Sequence, residues 1–185
     1  LLAKNKDEKY LKEFETIKDI HFNVLNELLP KTSKSIKTVV EDKLNQLKEL
    51  LNGIYLINEL SSKTSDKLVS FGERLSSTII AETIKNQGFD AELKNSQELI
   101  VTDDNFTRAQ VNFEATNKNI KSYFKTPKQI TILPGFVAKS TSGEPTTLGR
   151  GGSDFTAAII AAALKVDQLE IWTDVSGMYT TNPKM

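Results

Sequence analysis

The chain has 185 residues, no cysteine and 24 basic against 24 acidic side chains, a length that fits one domain with a real core. The even balance supplies no broad positive field for nucleic acid or an anionic membrane, and the lack of thiols excludes a disulfide framework and a thiolate metal site. No apolar run reaches the roughly 18 residues that span a bilayer, so small-molecule partners and a reducing cytoplasm are the expected setting. The first residue is Leu1, and the last stretch, "YTTNPKM", stops just after an apolar run and a turn. Both ends are therefore expected to be cuts in a longer protein.

In chain order, "FETIKDIHFNVLNELL" repeats apolar groups at Phe14, Ile17, Val24, Leu25 and Leu28, and "IKTVVEDKLNQLKELLNGIYLINEL" carries similar spacing. Both read as helices, with the break at Pro30 and the polar residues after it. His21, the single histidine, sits on the first stripe as a core-edge residue. From Lys67 the pattern changes: "KLVSFGERLSSTIIAETIKNQGFDAEL" predicts a turn at Gly72, a helix of about four turns ended by Gly88, and then a strand. The polar middle, 102–129, reads as a connection with one short strand and one helix. "ITILPGF" (130–136) and "QLEIW" (168–172) are short apolar runs suited to buried strands, and 138–149 reads as a hairpin or flap. Helices alternating with buried strands predict an α/β domain with a mainly parallel sheet covered by helices. Residues 1–66 form its mainly helical part and 67–185 its binding part.

Six of the nine glycines lie at or after Gly135, where the short strands end and where α/β sheets bind ligands. "TTLGRGGSDFTAAIIAAAL" (146–164) is the most informative stretch. Gly149, Gly151 and Gly152 permit close backbone approach, Ser153 and Asp154 are candidate caps, and the helix they open points free N–H groups and a positive dipole end into the loop. Arg150, one of only three arginines, adds a planar fork for a carboxylate or phosphate. The expected ligand is an anion; the bland alternative is a loop whose glycines merely turn. The spacing matches neither the phosphate loop nor the dinucleotide fingerprint.

Glu73 follows Gly72 at a predicted helix start, where an acid suits the dipole whatever its function; its functional reading is a carboxylate that holds an ammonium group. Thr173 and Asp174 close the "EIW" strand before a glycine turn, Tyr179 and Lys184, an arrangement for a nucleotide's base and ribose or simply a turn. No Ser-His-acid set and no His/Cys metal cluster exists to be assembled.

Taken in order and spacing, "FGERLSSTIIAE", "GF" at 135–136, "TTLGRGGSDFTAAIIAAAL" and "EIWTDVSGMYTTNPKM" resemble the aspartokinase branch of the amino-acid kinase family. The stretch "NGIYLINELSSKTSDKLVSFGERLS" is similar to the kinase half of bifunctional aspartokinase–homoserine dehydrogenases. The resemblance implies a three-layer α/β/α sandwich with a mainly parallel sheet, incomplete at both ends. It also implies transfer of the γ-phosphate of ATP, with Mg²⁺, to L-aspartate, giving 4-phospho-L-aspartate on the way to lysine, threonine and methionine. By the same resemblance Glu73 binds the substrate α-amino group and Arg150 its α-carboxylate. Phe136, Gly151, Gly152 and Ser153 line that pocket, and Asp154 lies near the reacting groups. Thr173, Asp174, Tyr179 and Lys184 fall on nucleotide-contacting positions, Lys184 standing where relatives commonly carry arginine. The family's Lys-Phe-Gly-Gly-Thr-Ser segment has no counterpart in these residues, so the chain by itself is expected to be inactive and the intact protein a homo-oligomer.

The chemistry agrees with the composition. A side-chain carboxylate with a reference pKa of roughly 3.9 is already ionised at neutral pH and needs no base, and phosphoryl transfer depends on alignment and charge neutralisation. The rival expectations are a kinase of the same fold for glutamate or an N-acetylated amino acid, a catalytically silent amino-acid or nucleotide sensor, and a plain structural domain.

Overall fold

The computed structural model describes residues 1–30 and 34–172. Two long helices open it, α1 (Lys9–Leu28) and α2 (Lys34–Ile57), and α1 ends just before Pro30, because proline offers no N–H to continue the ladder. Their apolar stripes meet a third helix, α3 (Ser62–Asn86), and the shared core holds Phe14, Leu25, Leu29, Val40, Leu44, Leu75 and Ile79. Full burial of each leucine contributes about 1.5–3 kcal/mol. The stripe expected on α1 is wider than the face it buries: Phe14 and Leu25 are inside, whereas Ile17, Val24 and Leu28 are exposed. His21 is half-buried at the edge of that face, with Nδ1 2.7 Å from the Ile17 carbonyl.

Helix α3 corrects the sequence reading around Gly72. There is no turn there: the helix runs unbroken from Ser62, and the Ser61 hydroxyl caps it by accepting from the Thr64 N–H at 3.1 Å. Gly72 sits in the helix interior with open space around its Cα, a position where glycine costs about 1 kcal/mol against alanine without breaking the helix. Phe71, Leu75 and Ile79 pack on one side and hold the helix straight through it. Glu73 is therefore a mid-helix residue and not part of a first turn. The end of the helix is as expected, with Gly88 at φ +92° just beyond it.

Among the described residues five strands follow in two small sheets. β1 (Ala91–Leu93) pairs in parallel with β3 (Ile130–Ile132), Ala91 opposite Ile130. β2 (Val101–Thr102) pairs in parallel with β4 (Val137–Ser140), which pairs antiparallel with β5 (Pro145–Thr147). The last pair is the expected hairpin, turned at Gly143 with φ +90°. Between β2 and β3 lies α4 (Phe113–Tyr123), capped by the Asn112 side chain accepting from Ala115 N–H. After β5 comes α5 (Gly152–Leu164). α3 lies against β1, β3 and β5, while α4 and α5 close a second core of Leu99, Ile100, Ile120, Ala138, Ile159 and Ala163. The strands thus lie between two helical groups, the α/β/α arrangement with mainly parallel pairing that was expected.

Two further expectations change. Residues 168–172 are not a strand: none of them pairs with another strand among the described residues, Leu169 and Ile171 are exposed, and Trp172 is 90% exposed. An apolar run becomes a strand only with a neighbour to accept its backbone bonds. Ser153 and Asp154 do not cap α5. The cap is Gly151, at φ +75°, and no side chain bonds to it; the left-handed turn that glycine allows brings the chain into the helix two residues before a Ser153 cap would.

Candidate functional site

The site is built where β3 and β5 end. Beyond β3, Pro134–Gly135–Phe136 turns the chain into β4, and Phe136 takes φ +67°, the left-handed region that a bulky side chain rarely adopts. Three bonds hold it there. Its N–H donates to the Thr156 hydroxyl at 3.0 Å, its carbonyl accepts from Leu148 N–H at 3.0 Å, and the Thr156 hydroxyl donates to the Gly152 carbonyl at 2.7 Å. Gly135 and Gly152 make this packing possible, because a Cβ on Gly135 would meet Ser153 Cα at 2.8 Å and one on Gly152 would meet the Phe136 ring at 2.8 Å.

Beyond β5, Gly149 and Gly151 flank Arg150 with φ of +74° and +75°, and the Gly149 carbonyl accepts from Gly152 N–H at 3.0 Å. The N–H groups of Ser153 and Asp154 have no acceptor among the described residues. They are the orphan donors of a helix start, carrying its partial positive charge. The Ser153 hydroxyl instead donates to Glu73 Oε1 at 3.4 Å, joining α5 to α3 across the gap.

One cavity of about 340 Å³ is lined by Glu73, Phe136, Gly149, Arg150, Gly151, Gly152, Ser153 and Asp154. Every candidate the sequence offered within the described residues thus borders a single space. Glu73 brings negative charge to this lining, and Arg150 and the α5 N-terminus bring positive charge. Such a pocket suits a zwitterion carrying an ammonium and a carboxylate. Glu73 also borders an adjoining cavity of about 520 Å³ walled by Leu133, Ala157, Ile160 and Leu169, an apolar neighbour to the charged space.

The nucleotide candidates Thr173, Asp174, Tyr179 and Lys184 lie outside the described residues. Arg74, also beside a glycine in the sequence, turns away from the site. Its guanidinium lies 4.8 Å from the centre of the Phe71 ring and borders a different cavity with Lys43. Burial holds the Arg74 pKa below its ordinary value, and burial together with the Arg74 charge pushes Lys43 down. Thr156 escaped the sequence reading, which includes Gly135 only as part of the Gly-Phe pair and not for its packing against Ser153. The only polar residue between Phe155 and Leu164 is Thr156, and that was the signal for it.

Residues 7–185 match the amino acid kinase family, and the chain belongs to it. It is similar to aspartokinase 2, chloroplastic, of Arabidopsis thaliana, at 33% identity over 180 residues that make up 95% of this chain and 32% of that protein. It is also similar to bifunctional aspartokinase/homoserine dehydrogenase 1, chloroplastic, of the same plant, at 31% identity over 98% of this chain and 20% of that protein. Among solved structures, E. coli aspartokinase III in complex with aspartate and ADP (R-state) superposes with a TM-score of 0.87 at 30% identity, over 95% of this chain and 39% of that one. The chain therefore spans less than half the length of these relatives.

Proposed function

We propose that the protein carrying this chain is an aspartate kinase, which transfers the ATP γ-phosphate to the side-chain carboxylate of L-aspartate and releases 4-phospho-L-aspartate and ADP. The observation that carries this reading is the single cavity lined by Glu73, Arg150 and the α5 N-terminus. The likeness to an aspartokinase holding aspartate and ADP supports it.

In this reading the Glu73 carboxylate accepts hydrogen bonds from the substrate ammonium, and the Arg150 fork takes the α-carboxylate with two bonds. These contacts leave the side-chain carboxylate as the free end. It is ionised at neutral pH, so it attacks phosphorus without a base, and no histidine is needed. The Ser153 and Asp154 N–H groups are placed to neutralise charge that gathers in the loop. Asp154, exposed in the first turn of α5, borders the reacting end.

Mg²⁺ carried on the ATP phosphates would neutralise part of their charge. Among the described residues no cluster of three or more His, Cys, Asp or Glu is placed to hold a metal alone, and no step above is assigned to it. Nucleotide contacts at Thr173, Asp174, Tyr179 and Lys184 belong to the same proposal, as do a homo-oligomeric state and a cytoplasmic location. No helix among the described residues is long and apolar enough to cross a membrane.

The test is a hydroxylamine trap for acyl phosphate. The full-length protein is incubated with MgATP and with L-aspartate, L-glutamate or N-acetyl-L-glutamate in turn. Hydroxamate from aspartate alone is expected. An N-acetylated substrate lacks the ammonium that Glu73 would hold, so product from it overturns the role of Glu73. Product from glutamate changes the substrate, and no product from any acid leaves a silent sensor.

A further inference from the structure

Asp66 is a carboxylate that the proposed reaction does not use, and it is 1% exposed. It lies on α3, seven residues and about two turns before Glu73. Its Oδ2 accepts from Thr107 N–H at 2.8 Å and from Thr147 N–H at 3.0 Å, and its Oδ1 accepts from the Thr147 hydroxyl at 2.8 Å. The donors are 41 and 81 residues away in sequence, and all of them are neutral. A carboxylate taken out of water without a cation is costly. Bonds to an ionised acceptor are also stronger than neutral ones. Three of them converging on one side chain make a stiff tie between α3 and the chain on either side of the site.

The tethered residues lead directly to the arginine loop. Thr147 is the last residue of β5. Its neighbour Leu148 donates to the Phe136 carbonyl, its own carbonyl accepts from Ala109 N–H at 3.0 Å, and Gly149 and Arg150 come next. Thr107 closes the same loop from outside. Its carbonyl lies 3.2 Å from where a Cβ on Gly149 would stand, with the Arg108 side chain at 3.4 Å. Asp66 therefore grips both strands of chain that clasp Gly149, and it does so from the helix that carries Glu73.

We propose that Asp66 is a positioning residue which sets the separation between the two walls of the amino-acid pocket, Glu73 on α3 and Arg150 on the loop after β5. Asp66 does not border the cavity and touches no substrate. It transmits the position of α3 to the root of the arginine loop, so the two charged groups keep one spacing. This rests on the reading of that cavity as the aspartate site.

The experiment compares Asp66→Ala, Asp66→Asn, Thr147→Val, Thr147→Ser and Arg150→Ala in the full-length enzyme, with circular dichroism as the check on folding. Misplacement by about 1 Å can cost up to about a hundredfold, so Asp66→Ala is expected to raise the aspartate KM about tenfold or more, with the KM for ATP within about twofold. Asp66→Asn keeps one acceptor oxygen for the two backbone N–H groups and is expected to recover most of the loss. Thr147→Val removes only the hydroxyl bond. It is expected to raise the aspartate KM about threefold, with Thr147→Ser close to wild type, and it decides the matter if Asp66→Ala does not fold. A folded Asp66→Ala or Thr147→Val with unchanged aspartate KM overturns the proposal, and so does an equal rise in both KM values. If Arg150→Ala raises the aspartate KM while those variants do not, only the positioning role falls. If Arg150→Ala also leaves it unchanged, the aspartate reading of the cavity falls with it.

Discussion

In the proposed aspartate kinase, replacing Gly135 by alanine is expected to damage aspartate binding from a position that carries no functional group. The added methyl would lie 2.8 Å from Ser153 Cα, 3.0 Å from Ser153 Cβ and 3.1 Å from its Oγ. The nearest atom is backbone, so no rotamer change relieves the contact. Ordinary contact begins near 3.4 Å, so about 0.6 Å must be recovered by moving the first turn of α5 away from the β3–β4 turn. Overpacking of this kind costs about 1–3 kcal/mol, and the movement shifts Ser153, whose hydroxyl donates to Glu73 Oε1. An aspartate KM raised about tenfold, with a smaller change in the KM for ATP, is the expected result in the full-length enzyme. Gly53→Ala is the control: it lies inside α2 with nothing within 4 Å of the new methyl, and it is expected to stabilise by about 0.5–1 kcal/mol. A Gly135→Ala enzyme with wild-type unfolding midpoint and wild-type aspartate KM would refute the packing argument.

Gly151 has open space but φ +75°, so Gly151→Ala is expected to cost about 1–2 kcal/mol from left-handed strain alone and Gly151→Asn less; equal losses in denaturant unfolding would contradict this. Arg150→Lys keeps the charge and loses the bidentate fork, so it is expected to weaken aspartate binding nearly as much as Arg150→Ala, as read from KM. Leu25→Ala empties a fully buried site and is expected to cost about 2–5 kcal/mol, against about 0.5 kcal/mol for the exposed neighbour in Val24→Ala, both by denaturant unfolding. The Tyr123 hydroxyl donates to Glu92, and burial together with that carboxylate pushes the phenol up to about 12 from 10.0. Because the folded value lies above the unfolded one, its contribution is complete below pH 10 and is lost as pH rises towards about 12. A stability–pH curve of Tyr123→Phe that falls as steeply as wild type in that window would remove the effect.

Much of the site was legible before the fold. The order Gly149–Arg150–Gly151–Gly152–Ser153 announces a turn, a cation and a helix start within five residues, since glycine spacing and helix-start chemistry are local properties. Glu73 is reached from its place after Gly72 and Phe136 only through the resemblance, and the structure brings both to the same cavity. The misreadings share one cause. Gly72 marks a break by propensity, yet Phe71, Leu75 and Ile79 bury one face of the helix and outweigh about 1 kcal/mol of glycine cost. The run 168–172 reads as a strand by composition, while pairing depends on a neighbour that composition does not contain.

By itself the sequence determined the class of the domain, the helix boundaries at Pro30 and Gly88, the hairpin within 138–149 and the glycine-flanked loop around Arg150. Each follows from residues within a few positions of one another, through φ preferences, caps and periodicity. Tertiary structure alone decided that Ser153 reaches Glu73, that Phe136 is held in the left-handed region by Thr156 and Leu148, and that Asp66 fastens Thr107 and Thr147. Those partners are separated by up to 81 residues, and no local preference specifies which distant donor a buried acceptor will meet; only the packing of α3 against β5 does.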